Sequence, residues 1–330
     1  MDRFLIVKNL VKRYRRPGLF GRAAAGVCAV DRVSFAMSRE TVFGLVGESG
    51  CGKTSLVRSI LFLDPPTSGE VWFDGTCLNT LSARRLRDFR KRMQIVFQDP
   101  NSALNPKMRI EDSLAEGLVN RGIPAPERNR RIDKLLDMVG IRPTHRRRYP
   151  HEFSGGQKQR IVIARALSME PDFLVLDEPV SNLDVSIQAQ IINLLLDLKQ
   201  DLKLTYLFIS HDLNLVAYVS DRIGVMYRGR LVEVASTEEI MRRARHPYTL
   251  RLFASMPGRS HVEGADAGPA AGEKKRPDVI TGCAYAGDCA LADERCRRRE
   301  PMLREVGEDH RIACFKIEAV VPCDEDARLP

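Results

Sequence analysis

The stretch that decides the fold is GESGCGKT, Gly47 to Thr54. It fits G-x-x-x-x-G-K-[ST] and stands between an apolar burst, TVFGLVG (41–47), and KTSLVRSILFL (53–63). Leu56, Ile60 and Leu63 fall near helical spacing, so a strand, a glycine loop and a helix are predicted in that order. Glycines let the backbone wrap an anion closely and aim its N–H groups inward. The following helix presents its N-terminus to the β-phosphate, Lys53 brings charge to the β/γ-oxygens, and the Thr54 hydroxyl suits Mg²⁺.

The run FLVLDEP (173–179) supplies a second element. Five continuous apolar or strand-ending residues predict a strand buried on both faces of a parallel sheet. Asp177 ends it, where a carboxylate needs a partner or a nearby cation. Glu178 follows directly and is the candidate for orienting and polarising an attacking water. A second buried run, TYLFISH (205–211), ends on His211. SGGQKQRIVIARALSME begins with Ser154, a good helix N-cap, and Gly155 and Gly156 leave the helix start open to an anion.

Elsewhere the chain reads more plainly. Short apolar bursts over 3–46 and GEVWFDG (69–75) predict strands, as does DRIGVMYRGRLVEV (221–234), read as strand, tight turn, strand. Residues 81–93 and 110–140 show helical periodicity. Residues 259–278, rich in Gly, Ala, Pro and charge, predict a linker.

These motifs together resemble the ATP-binding subunits of ABC transporters. The set stands in the family order: Gly47–Thr54, Gln98, Ser154–Gln157, Asp177–Glu178, SNLD at 181–184, and His211. The resemblance implies an α/β P-loop NTPase with a RecA-like parallel-sheet core, an antiparallel β subdomain and an inserted helical subdomain at about 99–165. It implies a nucleotide-binding domain over 1–257, followed by a linker and cysteine-rich extension over 258–330. It also implies a head-to-tail pair of such domains with two ATP molecules between them. Each ATP would sit on Gly47, Glu48, Ser49, Gly50, Cys51, Gly52, Lys53, Thr54 and Ser55 of one subunit. Ser154, Gly155, Gly156 and Gln157 of the other would cap it. Thr54, Gln98 and Asp177 would hold Mg²⁺, Glu178 would act as base, and His211 would contact the γ-phosphate. Gln98 would couple the metal to membrane subunits, Tyr14 would stack on adenine, and Asp184 would act across the dimer. Asn182 departs from the family, which more often has Ala there.

Longer stretches narrow the group. VFQDPNSALNPKMRI (96–110), YPHEFSGGQKQR (149–160), EPVSNLDVSIQAQI (178–191) and RHPYTLRLFASMP (245–257) resemble the dipeptide and oligopeptide importer subfamily, whose relatives import nickel or glutathione. The expected partners are a second, similar ATPase, two permeases and, indirectly, an external peptide-binding protein. A soluble ABC ATPase of translation or DNA repair, or a relative in phosphonate breakdown, is the rival reading.

Cys283, Cys289, Cys296 and Cys314 gather in the tail with spacing x5, x6 and x17. The N-terminus shows no apolar h-region and no stretch reaches 18 uninterrupted apolar residues, which leads to the expectation of a cytosolic chain at the inner face of the membrane. In a reducing cytosol the thiols read as metal ligands or as free thiols. Structural zinc usually wants Cys-x2–4-Cys pairs, and none exists here. A [4Fe–4S] cluster tolerates wide spacing, and the subfamily resemblance points the same way. Few large apolar residues lie between 283 and 314, so a metal cross-link is expected to supply order there. The net charge of +9 includes four arginines in IRPTHRRRYPHE (141–152). That run reads as a solvated helix end or as a contact for anionic headgroups; no nucleic-acid motif accompanies it.

Overall fold

A computed structural model describes residues 3–16, 24–254, 281–307 and 309–317. In chain order the strands are β1 (Arg3–Arg16), β2 (Ala24–Ser38), β3 (Val42–Val46), β4 (Ser68–Phe73), β5 (Thr76–Cys77) and β6 (Met93–Val96). They continue with β7 (Phe173–Asp177), β8 (Thr205–Ile209), β9 (Arg222–Tyr227), β10 (Arg230–Ser236), β11 (Arg304–Gly307) and β12 (His310–Ile312). The helices are α1 (Lys53–Ile60), α2 (Ala83–Arg92), α3 (Pro100–Ala103), α4 (Ile110–Asn120), α5 (Ala125–Met138) and α6 (Gly155–Leu167). After them come α7 (Val185–Leu202), α8 (Leu213–Val219), α9 (Thr237–Arg243), α10 (Pro247–Ala254) and α11 (Glu294–Arg298). The linker expected over 259–278, and Cys323, lie outside the described residues.

Two compact units divide these residues: one holds Ser38–Val42 and Cys77–Ser210, the other Phe4–Met37, Phe43–Thr76 and the described chain from His211 onward. In the first, β6, β7 and β8 run parallel, with Met93 opposite Phe173 and Asp177 opposite Ile209. Every residue of β7 and β8 is buried, which is why both read as unbroken apolar runs. Helices α3, α4 and α5 pack on α6, forming the helical part of this unit. The helical stretch expected over 110–140 is two helices. Gly122, at φ 76°, donates its N–H to the Val119 carbonyl, and Ile123 donates to that of Leu118. That is a left-handed helix stop, and Pro124 then starts α5. Arg146 is spent inside the fold, paired with Glu111 at 3.1 Å and Asp133 at 3.0 Å, whereas Arg147 and Arg148 are exposed.

The second unit carries an antiparallel sheet ordered β2-β1-β4-β5, with Leu5 opposite Phe73 and Val7 opposite Val71. Beside it in this unit, β3 pairs parallel with β9, β9 turns through Arg228–Gly229 into antiparallel β10, and β10 pairs with β12. The last pairing brings the cysteine region into this sheet. Its β12 adds to β10, and Tyr285, Cys296, Ile312 and Cys314 are buried. The register sets Glu233 opposite Ile312.

Glu233 is wholly buried and holds this junction together. Its carboxylate accepts from the Arg245 N–H at 2.8 Å and the His246 N–H at 3.1 Å, and it bonds His310 Nε2 at 2.8 Å. The Tyr248 N–H donates to His246 Nδ1 at 3.1 Å. Burial pushes the His246 pKa down to about 4, so the ring is neutral at physiological pH. Glu233→Ala would strand two buried N–H groups and an imidazole. It is expected to lower the unfolding free energy by about 3–5 kcal/mol, read by denaturant titration; a loss below about 1 kcal/mol would show the junction is dispensable.

Candidate functional site

The phosphate loop closes on itself in the second unit. Gly47 has φ 153° and Gly52 φ 115°. A Cβ on Gly47 would stand 2.2 Å from the Met226 carbonyl oxygen, and one on Gly52 2.2 Å from that of Ala29. Only glycine permits both the dihedrals and the approach. The loop is tied down by the Cys51 N–H donating to the Glu48 carbonyl at 3.1 Å and by Gly229 donating to that of Cys51 at 2.7 Å. Gly52 caps α1 without a side-chain acceptor, so the first N–H groups of the helix keep no side-chain partner at the cap. Lys53 is 6% exposed and folds back, its Nζ donating to the carbonyls of Gly47 at 2.6 Å and Glu48 at 3.2 Å. Thr54, Ser49 and Gly50 are exposed, and Ser55 lies 3.4 Å from the Tyr14 hydroxyl. Tyr14 is itself partly exposed, with Lys12 Nζ 5.2 Å from its ring centre. The loop thus sets one buried ammonium, that of Lys53, beside the start of α1, the pairing of charge and helix N-terminus that suits an oxyanion. His211 is exposed and precedes Asp212, which caps α8 through the N–H groups of Asn214 and Leu215.

The acid–base elements stand in the first unit. Asp177 is buried at the end of β7. Glu178 takes a left-handed backbone, φ 50°, pinned by its N–H donating to the Ile209 carbonyl at 2.9 Å. For a side chain of this kind that conformation is strained, and it turns the carboxylate out of the line of the strand. Gln98 Nε2 donates to Glu178 Oε2 at 2.9 Å and to Ser181 Oγ at 3.2 Å. Ser181 in turn donates its hydroxyl to the Glu178 carbonyl at 3.3 Å. Gln98 and Glu178 are thus brought together. Ser181 was quoted in SNLD without a role, and its place three residues past Glu178 was the only signal.

On the same unit Ser154 and Gln157 cap α6 reciprocally. The Gln157 N–H donates to Ser154 Oγ at 3.4 Å, and the Ser154 N–H donates to Gln157 Oε1 at 3.0 Å. Gly155 and Gly156 form its first turn, with Ser154 and Gly155 exposed. Asp184 precedes α7 and is exposed, as is Asn182.

In the second unit, Cys283, Cys289, Cys296 and Cys314 line one small pocket with His246, Tyr285 and Phe315. All four are free thiols. Burial, and then the neighbouring cysteines, raise the pKa of Cys283 and Cys289, and Cys314 rises to about 11. The Lys316 N–H donates to Cys314 Sγ at 3.3 Å, while the Ala286 and Ala292 N–H groups donate to the carbonyls of Cys283 and Cys289. Among the described residues, however, no three His, Cys, Asp or Glu side chains are gathered closely enough to hold a metal ion, so the expected metal centre gains no preformed ligand set.

The comparisons agree with one another. The ABC transporter family profile matches residues 30–181, and that of the oligopeptide/dipeptide transporter C-terminal region matches 232–296. A peptide import ATP-binding protein of Brucella ovis is 47% identical over 94% of this chain and 97% of its own length. The oligopeptide transport ATP-binding protein AppF of Bacillus subtilis is 43% identical over 92% of this chain and 94% of its own. Among solved structures, cbiO1 of Clostridium perfringens, part of an ABC transporter complex, superposes with a TM-score of 0.65 at 29% identity, covering 73% of this chain and 91% of that one. The dimeric bacterial ABC transporter cassette MJ0796 gives 0.63 at 28% identity, covering 71% and 98%. With the glycine loop, the Gln98–Glu178 pair and the capped Ser154 helix in place, the chain belongs to the ABC transporter family of ATP-binding proteins and is an ATPase of that type.

Proposed function

We propose that this chain hydrolyses ATP to drive the import of di- or oligopeptides, working as a peripheral subunit at the cytoplasmic face of the cell membrane. The observation that carries the cargo is the pairing of an ABC transporter match with an oligopeptide/dipeptide transporter C-terminal match on one chain. Relatives similar over nearly the whole length carry peptide-import names. No described helix is long and apolar enough to cross a membrane, so the translocation path belongs to other chains. Uptake of labelled peptides by vesicles holding this chain with its co-encoded permeases and binding protein tests the reading. ATP-dependent peptide uptake supports it; uptake of nickel or glutathione alone, or turnover without permeases, overturns the cargo.

In this reading residues 1–257 form the nucleotide-binding domain and 258–330 the extension. Gly47–Thr54 cradles the phosphates, Tyr14 stacks on adenine, and His211 meets the γ-phosphate. Glu178 accepts the proton of the attacking water, oriented by Gln98 and Ser181. Thr54, Gln98 and Asp177 offer hard oxygen donors, the set Mg²⁺ prefers; when bound, the ion neutralises charge on the β- and γ-oxygens. A second ATPase subunit caps each nucleotide with its own counterpart of Ser154–Gln157, and Asp184 lies at that interface. A permease segment takes the groove of about 740 Å³ lined by Arg87, Arg90, Lys91, Phe97, Glu116 and Arg165. Its rim is strongly cationic, which favours an acidic, amphipathic segment.

The four tail thiols carry a [4Fe–4S] cluster in the same reading, with zinc the alternative. The Lys316 N–H on Cys314 Sγ favours thiolate there, which desolvation otherwise disfavours. A cluster tolerates the wide x5, x6 and x17 spacing of these cysteines, whereas structural zinc usually takes closely spaced pairs. Protein purified under strict anaerobiosis is expected to be brown, with about four iron and four sulfide per chain. Stoichiometric zinc without iron would overturn the cluster.

A further inference from the structure

The cysteine lobe and the phosphate loop lean on the same helix. Glu48, the second residue of the loop, donates its backbone N–H to Tyr248 Oη at 3.0 Å, and its carboxylate accepts from Arg251 Nη2 at 3.0 Å. Tyr248 and Arg251 stand three residues apart on α10, on one face. Tyr248 is fully buried. Its ring centre lies 4.5 Å from that of Tyr227 and 5.5 Å from that of Tyr285, and Tyr227 lies 5.2 Å from Tyr285.

Tyr285 belongs to the other side of this wall. It sits between Cys283 and Cys289, lines their pocket, and interacts electrostatically with Arg251. Asp288, one residue before Cys289, accepts from the Tyr227 hydroxyl at 2.8 Å. The segment between the two cysteines therefore touches both side chains that grip Glu48, directly or through one ring.

The grip matters because the loop has little stiffness of its own. Gly47, Gly50 and Gly52 all stand at positive φ, and glycine resists displacement least. A phosphate-binding loop works best when its N–H groups are fixed before the anion arrives. The Glu48 N–H donates to Tyr248 Oη, so the loop is anchored at its second residue by a side chain outside it.

We propose that Tyr248 and Arg251 are positioning residues for the phosphate loop, and that Tyr285 makes their placement depend on the cysteine lobe, so that lobe order and ATP affinity are reciprocally coupled. The proposal rests on ATP binding at Gly47–Thr54. By linkage, whatever loosens the lobe weakens ATP, and ATP firms the lobe.

The test uses full-length protein and isothermal titration with MgATP. Tyr248→Phe keeps the ring and removes only the acceptor; it is expected to raise the MgATP Kd about fivefold. In the assembled transporter it should raise KM by a similar factor with kcat at saturation unchanged, because the lost bond holds the loop equally in the ground and transition states. Arg251→Ala should act likewise and Arg251→Lys should recover most of the loss. Tyr285→Leu, which spares every cysteine, and Cys283→Ser with Cys289→Ser should each weaken binding. Combined with Tyr248→Phe they should add little, since one route is already cut. Wild-type affinity in Tyr248→Phe, or fully additive losses in the combined variants, would overturn the proposal. Wild-type protein that binds no MgATP would instead overturn the nucleotide site itself.

Discussion

Replacing Glu178 by Gln is expected to cut steady-state ATP turnover of the assembled transporter by at least ~100-fold while leaving MgATP affinity within about twofold. The substitution is nearly isosteric. An amide oxygen at this position still accepts from Gln98 Nε2, now 2.9 Å from Glu178 Oε2. The left-handed backbone is fixed by the N–H bond to the Ile209 carbonyl, which the side chain does not influence. Only the capacity to take a proton disappears. Phosphate release and equilibrium ATP binding, measured on the same preparation with the partner subunit's site disabled, separate the two effects. Unchanged turnover would sink the assignment of Glu178 as base.

The same residue marks where the sequence stopped being informative. FLVLD announces a buried strand because a parallel sheet buries both faces, and the structure bears this out along all five residues. Nothing in DEPVS announces a glutamate at φ 50°, because that conformation is held by a bond to a strand far along the chain. The phosphate loop is the opposite case. Its glycines stand at positive φ, a local demand that the spacing of G-x-x-x-x-G-K already announces, although the backbones that crowd Gly47 and Gly52 come from Met226 and Ala29. The break at Gly122–Pro124 had a local signature too, but the helical periodicity on either side masked it.

The C-terminal half was harder for a physical reason. DRIGVMYRGRLVEV reads as strand, tight turn, strand, and says nothing of where Glu233 faces. The structure buries Glu233 completely, because β12, nearly eighty residues on, covers it and supplies His310. A pairing so distant leaves no local trace. Tyr248 and Arg251 escaped notice likewise: RHPYTLRLF looks like a plain amphipathic helix until the phosphate loop is placed beside it.

Ser154→Arg is the second large expected effect, and it discriminates between a subunit acting alone and one acting in a pair. The substitution changes no residue of Gly47–Thr54. Locally it removes an N-cap bond of 3.4 Å from Gln157, a loss of about 1 kcal/mol to the helix. The isolated chain is therefore expected to bind MgATP as wild type does. In the assembled transporter the same arginine occupies the exposed helix start that is meant to close over the nucleotide held by the other subunit. A long cationic side chain there replaces a hydroxyl and open N–H groups, and closure fails. Turnover is expected to fall by ~30-fold or more, with the defect traced to the ATP on the partner's loop by labelling each subunit's nucleotide separately. Impaired ATP binding by the isolated chain, with normal turnover once assembled, would mean that this segment serves its own subunit and that the head-to-tail arrangement does not hold here.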